Sequence, residues 1–221
     1  MINIDNYIEC FLKAAKDVYG ERLVYVGLQG SYLRGEAHEN SDIDIMVLID
    51  GFSVSDMDQY REILNRIGHV EKSCGFICGK DDMMNWNPLE SIQLQYTTKD
   101  LYGTLTDFLP AATREDEINY VKLSIGNLFH EICHRYIHGG REKSALKLRG
   151  TCKGLFFIIQ NLYYLESGDF VGTKKALKER VSDEDRAMLE LAELPDDYDF
   201  DAAYDSLFKW CQKTLIRLEN I

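Results

Sequence analysis

At 221 residues, 45% of them hydrophobic and 28% charged, the chain is long for one domain and suited to two small ones, each with its own apolar core. A net charge of −12 weighs against a polyanionic partner, since neutralising phosphates takes a basic surface. It is compatible with a cationic small substrate. No apolar run is long enough to cross a bilayer, and the opening MINIDNYIEC lacks a basic segment followed by an apolar one, so a cytoplasmic location is expected.

Ile4, Tyr7, Ile8, Phe11, Leu12, Ala15, Val18 and Tyr19 recur at helical spacing and Gly20 follows as a stop, which predicts an amphipathic helix over 4–19. Strands are expected over 22–29 and 42–50, then a helix over 56–67 ended by Gly68 and a strand over 69–78. Residues 79–88 read as a loop or short helix holding Trp86, and 91–98 (SIQLQYTT) as a fourth strand. This alternation argues for an α/β sheet. After Pro110 the strand signals stop. Thr113 with Asp116 has the form of a helix N-cap, and helices follow over about 114–138, 142–166, 172–181, 183–193 and 202–218. The reading is an α+β chain: a sheet domain over 1–109 and an antiparallel helical bundle over 110–221.

The most informative stretch is LVYVGLQGSYLRGEAHENSDIDIMVLID, residues 23–50. Asp42 and Asp44 stand one residue apart at the start of a strand, so both project from one face, about 7 Å apart along it. Ile43, Ile45, Val47 and Ile49 make the other, apolar face. Two fixed carboxylates repel unless a cation lies between them, and a hard divalent ion such as Mg²⁺ suits oxygen ligands. Gly30 allows a left-handed turn or a close backbone approach, and Ser31 offers a hydroxyl and nearby amides to a phosphate.

A Gly-Ser, a ten-residue spacer and Asp-x-Asp together resemble the DNA polymerase beta-like nucleotidyltransferase superfamily, with GSYLRGEAHENSDID carrying the resemblance. The order of a small sheet domain with a mixed sheet and then a bundle resembles the kanamycin-type antibiotic nucleotidyltransferases. The resemblance implies a nucleoside triphosphate co-substrate, ATP by default. It implies Gly30 and Ser31 at the phosphates with Arg34 and Ser41 nearby, and Mg²⁺ on Asp42 and Asp44. The bundle would form one wall of an acceptor site, and the acceptor would be a small molecule with a hydroxyl, of aminoglycoside kind if the protein confers resistance. A second copy of the chain as partner is left open.

The superfamily usually adds a third carboxylate from a neighbouring strand. In 91–98 one face carries Gln93, Gln95 and Thr97, none of them acidic. Glu90 or Asp100 at the ends of that strand, Glu131 lent by the bundle, or an acceptor that needs no base would close the gap. Left open, the gap favours a catalytically weak nucleotide-binding regulatory module. A toxin-type enzyme modifying a protein or tRNA is a further alternative, and the negative charge counts against tRNA.

HEICH at 130–134 matches H-E-x-x-H, and His138 extends the row along one helical face. The longer metalloprotease pattern fails, because Ile137 and Gly140 stand where it needs glycine and histidine. The histidines are therefore read as lining an interhelical cleft, satisfying core hydrogen bonds, or, with Thr97, as acceptor-site residues. The six scattered cysteines read as buried free thiols rather than a zinc set. FFIIQNLYY (156–164) reads as bundle core. The acidic run at Asp196, Asp197, Asp199 and Asp201 reads as a solvated loop with a helix cap.

Overall fold

Apolar periodicity accounts for the first element. Helix α1 (Ile4–Tyr19) buries Tyr7, Phe11, Ala14, Ala15 and Tyr19, is capped by Asn3 and stops at Gly20. The computed structural model describes residues 2–221. Strand β1 (Leu23–Leu28), the short helix α2 (Gly30–Arg34) and strand β2 (Ile43–Ile49) follow. Helix α3 (Val54–Ile67) crosses over to β3 (Ser73–Gly79). The short helices α4 (Lys80–Met84) and α5 (Ser91–Thr97) precede β4 (Lys99–Tyr102).

The sheet order is β3-β2-β1-β4, with β2 and β3 parallel and the other two pairs antiparallel. The sheet is therefore mixed. One face, built from Val26, Leu28, Ile43, Ile45, Val47 and Ile49, packs with the buried side of α1 and Ile63 of α3. The other face carries Tyr25, Met46, Leu48 and Cys78, covered at one end by Met83 and Leu105. The Trp86 ring packs edge-on against Phe76, with centroids 5.1 Å apart.

Residues 91–98 are the main departure from the expected pattern. They form helix α5, and the fourth strand lies just after it, at 99–102. Ser91, Leu94 and the following residues tolerate either state, and Leu94 packs into the second sheet core from a helix. Tertiary burial overrode a weak alternation.

The chain divides into two compact units, the first ending at Ala112 and the second spanning Thr113–Ile221. The second opens with α6 (Arg114–Cys152), whose N-terminus is closed by a reciprocal Thr113–Asp116 capping box. It is two helical arms joined across a break at Gly140, where φ is 76° and ψ 174°, so the stop expected at Gly139-Gly140 is present. The next expected helix is in fact the second arm of α6 together with α7 (Leu155–Ser167). Then come α8 (Lys174–Lys178), α9 (Asp183–Glu190) and α10 (Phe200–Arg217). Val121, Ile125 and Ile132 of α6, Leu155, Ile159 and Leu162 of α7, and Leu207 and Cys211 of α10 share one core.

Asp185 is buried in this core. It accepts hydrogen bonds from Trp210 Nε1 at 2.8 Å and Arg217 Nη1 at 3.0 Å. Asp199 caps α10, and its acidic neighbours Asp196 and Asp201 pair with Arg149 and Arg141. Most of FFIIQNLYY is buried, but Phe157 is exposed.

Candidate active site

The uncovered end of the second sheet face brings together side chains from all four strands. Asp44 stands opposite Cys74 in the parallel register of β2 and β3. On its other side the Gln29 amide donates to the Asp44 carbonyl at 2.9 Å. Gln29 Nε2 in turn donates to Thr98 Oγ1 at 2.8 Å. Cys74, Asp44, Gln29 and Thr98 thus form one row across the sheet. Asp42 lies just before β2 and is exposed, while Asp44 is half-buried.

Gly30 is what allows Asp44 to sit there. It has φ +70°, and a Cβ on it would collide with the Asp44 carboxylate. Both its conformation and its lack of a side chain are therefore required. The carboxylate of β2 rests against the first residue of α2, and no side chain of Gln29 caps that helix. Burial raises the Asp44 pKa, and the neighbouring charge of Asp42 raises it further. A hydrogen bond from the Cys74 thiol and the positive charge of Arg34 oppose the shift. The Cys74 thiol, on a residue that is exposed as a whole, is itself pushed up, first by partial desolvation and then by the charge of Asp44.

Arg34 Nε donates to Glu36 at 2.9 Å. Ser41 is buried, and its hydroxyl accepts the His38 amide at 2.9 Å, which closes the loop leading into Asp42. Thr97 does not face this site in the way expected of a strand residue. It belongs to α5, and its hydroxyl donates to the Gln93 carbonyl of the same helix at 2.6 Å. Thr98 takes the position in the row.

One rung further along the face, Asp100 lies opposite Gly27. Its Oδ1 accepts a hydrogen bond from the Tyr25 hydroxyl at 2.7 Å and another from the Leu105 amide at 3.3 Å. A side chain on Gly27 would collide with the Tyr25 hydroxyl and the Thr98 methyl, so the glycine leaves room for this contact. The strand shift thus places an acid, Asp100, on this face, where residues 91–98 carry none. Glu90 is occupied elsewhere, accepting from Trp86 Nε1 at 2.8 Å.

Glu131 lies in the second unit, where it pairs with Arg135 and accepts from Thr151 at 3.2 Å. His130, His134 and His138 follow one another along α6 and are exposed, so the reading of them as core hydrogen-bonding residues does not hold. Cys10 and Cys74 are likewise exposed rather than buried. Cys74, Gln29 and Tyr25 escaped the sequence reading because only the cross-strand register places them beside the acids. Among the described residues, no three His, Cys, Asp or Glu side chains converge to hold a metal ion. No helix is long and apolar enough to cross a membrane.

Comparisons with known proteins agree with this arrangement. Residues 8–116 match the model of the nucleotidyltransferase domain family. The candidate protein adenylyltransferase MJ1305 of Methanocaldococcus jannaschii is 33% identical over 58 residues, which is 26% of this chain and 40% of that protein. The structure of spectinomycin adenyltransferase AAD(9) from Enterococcus faecialis, with ATP and spectinomycin, superposes with a TM-score of 0.58. That match covers 94% of this chain and 99% of the other at 13% identity, and so speaks for the fold. A toxin–antitoxin structure with AMP-PNP is 24% identical over 59% of this chain and 93% of its own, but its TM-score of 0.33 is too low to build on. The Gly30–Ser31 turn, Asp42 and Asp44 all lie inside residues 8–116, the segment that matches the nucleotidyltransferase domain family.

Proposed function

We propose that this protein transfers a nucleoside monophosphate, adenylate by default, from a nucleoside triphosphate to a hydroxyl of a small acceptor. The observation that carries the reading is the Asp44 carboxylate resting against Gly30, with Asp42 two residues before it. This places two acids beside a glycine–serine turn whose amides and Ser31 hydroxyl suit phosphate oxygens.

Asp42 and Asp44 fit a hard cation. They offer carboxylate oxygens, and a bound cation would offset both the burial that chiefly raises the Asp44 pKa and the Asp42 charge that adds to it. Mg²⁺ usually takes one or two protein carboxylates and draws its other ligands from water and substrate phosphates, a demand that Asp42 and Asp44 can meet. When bound, such an ion would neutralise charge on the triphosphate and polarise the α-phosphorus. The chain's own part is positioning. The turn at Gly30 and Ser31 holds the phosphates, Arg34 adds positive charge near Asp44, and the Gln29–Thr98 pair fixes the floor. Asp100, oriented by Tyr25, gives this face its third carboxylate. Under this reading the second unit contributes to acceptor binding.

ATP, GTP, CTP and UTP would each be incubated with Mg²⁺ and a library of hydroxylated acceptors, aminoglycosides and spectinomycin included, and products read by mass spectrometry. The expected result is one nucleotidylated product, with Asp42→Asn and Asp44→Asn each at least about 100-fold slower, as for loss of a transition-state electrostatic group. Wild type and both variants behaving alike would refute the reading.

A second reading, transfer to a hydroxyl of a protein, is favoured by the 33% identity to a candidate protein adenylyltransferase. Radiolabel from α-labelled ATP appearing on proteins of a cell extract, with no labelled small acceptor, would select it. Tight nucleotide binding without pyrophosphate release in either assay would select a regulatory module.

A further inference from the structure

His130, His134 and His138 occupy successive turns on one face of α6. Their ring centroids are 5.7 Å apart for the first pair and 4.5 Å for the second. They edge a cavity of about 380 Å³ that also meets Arg135 and Lys143. All three are exposed. None makes a hydrogen bond to another described residue, so these imidazoles have no structural task to account for their place. Histidines at i and i+4 on a helix are a recurring way to chelate a transition metal.

Glu131, the acid in the same stretch, is engaged by Arg135 and Thr151. It is therefore neither a free ligand nor a free base, which argues against hydrolytic chemistry at this place. No third His, Cys, Asp or Glu converges here among the described residues. The site that fits is thus a two-imidazole chelate, with water filling the remaining positions. Two such pairs overlap, 130 with 134 and 134 with 138, and His134 belongs to both.

We propose that this row binds a divalent transition-metal ion of the Zn²⁺, Ni²⁺ or Cu²⁺ class, which imidazole suits and Mg²⁺ does not. The site is separate in chemistry from the carboxylate pair of the first unit, and it does not depend on the transferase reading. The overlap of the pairs gives it a distinctive fingerprint. Losing either end histidine leaves one complete pair, whereas losing the middle one leaves none.

The test uses full-length, untagged protein carrying Asp42→Asn and Asp44→Asn, so that the carboxylate pair does not compete. Zn²⁺ is titrated calorimetrically, and Cu²⁺ is followed by electron paramagnetic resonance. In this background we expect one Zn²⁺ per chain and nitrogen hyperfine coupling on Cu²⁺. His134→Ala should weaken binding by at least about tenfold, the lower end of what even a second partner of a metal site costs, and remove the coupling of two imidazoles. His130→Ala and His138→Ala should each lose less than His134→Ala. Because the side chains are exposed, the helical circular dichroism of each variant should match its parent. Unchanged Zn²⁺ affinity in His134→Ala, a loss equal in all three variants, or Cu²⁺ spectra without nitrogen coupling would overturn the proposal.

Discussion

Gly30 and Asp44 act as a pair, and each explains the other. An alanine at 30 would have to adopt φ +70° and move the Asp44 carboxylate aside. Gly30→Ala is expected to cost about 1–3 kcal/mol of stability, the usual size of such backbone strain, and to reduce transfer activity to near that of Asp44→Asn. Urea unfolding with a parallel product assay checks both, and an active Gly30→Ala protein would contradict the geometry. Asp44 carries a second consequence. A carboxyl whose pKa is raised in the folded protein is destabilising in its charged form, so the cost is present at neutral pH and disappears as pH falls and the group takes up a proton. Asp44→Asn should therefore melt higher than wild type at pH 7 without Mg²⁺, with the gain shrinking towards pH 4. A lower melting temperature at pH 7 would show that burial and Asp42 do not strain this position. A higher melting temperature together with lost transfer activity in Asp44→Asn would mark a position kept for function at some cost in stability.

Among the elements, β4 and α6 are the two whose bounds the local sequence pattern describes least well. β4 is four residues long, and placing it at 99–102 instead of 91–98 turns Asp100 towards Tyr25 and Thr98 towards Gln29. The sequence reads α6 as two helices around Gly139-Gly140, and Gly140, which leaves helical geometry, does divide it into two arms. Space around Gly140 is open, so a side chain there meets no atom, and the cost of adding one is backbone strain alone. Gly140→Ala should destabilise the second unit by about 1–3 kcal/mol, because φ 76° with ψ 174° is a region reserved almost wholly for glycine. Urea denaturation followed by Trp210 fluorescence in a Trp86→Phe background reads this out. An unchanged midpoint would mean that the kink relaxes into a continuous helix at no cost.

At the scale of the molecule, each unit has its own apolar core, the first split over the two faces of the sheet, and the two tryptophans are divided between the units: Trp86 in the first and Trp210 in the second. Asp185 ties α9 to α10 through Trp210 and Arg217, inside the second core. Removing one member of a buried charged network costs on the order of 3 kcal/mol. Asp185→Ala should lower the Trp210-reported midpoint accordingly and leave the Trp86-reported one little changed, since the two cores share no residue. Equal shifts at both probes would show that the units unfold as one. The charge of −12 also belongs to this scale. It opposes polynucleotide binding over the whole surface and fits a small acceptor or a protein better than a nucleic acid.

The sequence alone determined the pieces whose signal is local. Helix α1 follows from its apolar period and Gly20. Strand β2 follows from alternation that sends Ile43, Ile45, Val47 and Ile49 one way and Asp44 the other. The glycine–serine turn and the acid pair are legible because Gly30, Ser31, Asp42 and Asp44 lie within fifteen residues of one another. The tertiary structure decided what depends on pairing between distant segments. No local pattern tells that Cys74 stands beside Asp44, that Gly27 makes room for the Tyr25–Asp100 contact, or that 91–98 coils while 99–102 pairs with β1. Those facts rest on cross-strand register and on burial of Leu94 in a sheet core, where packing outweighs propensity. The same holds for His130, His134 and His138: their spacing is written in the chain, but their exposure and lack of hydrogen-bonding partners exist only in the folded helix.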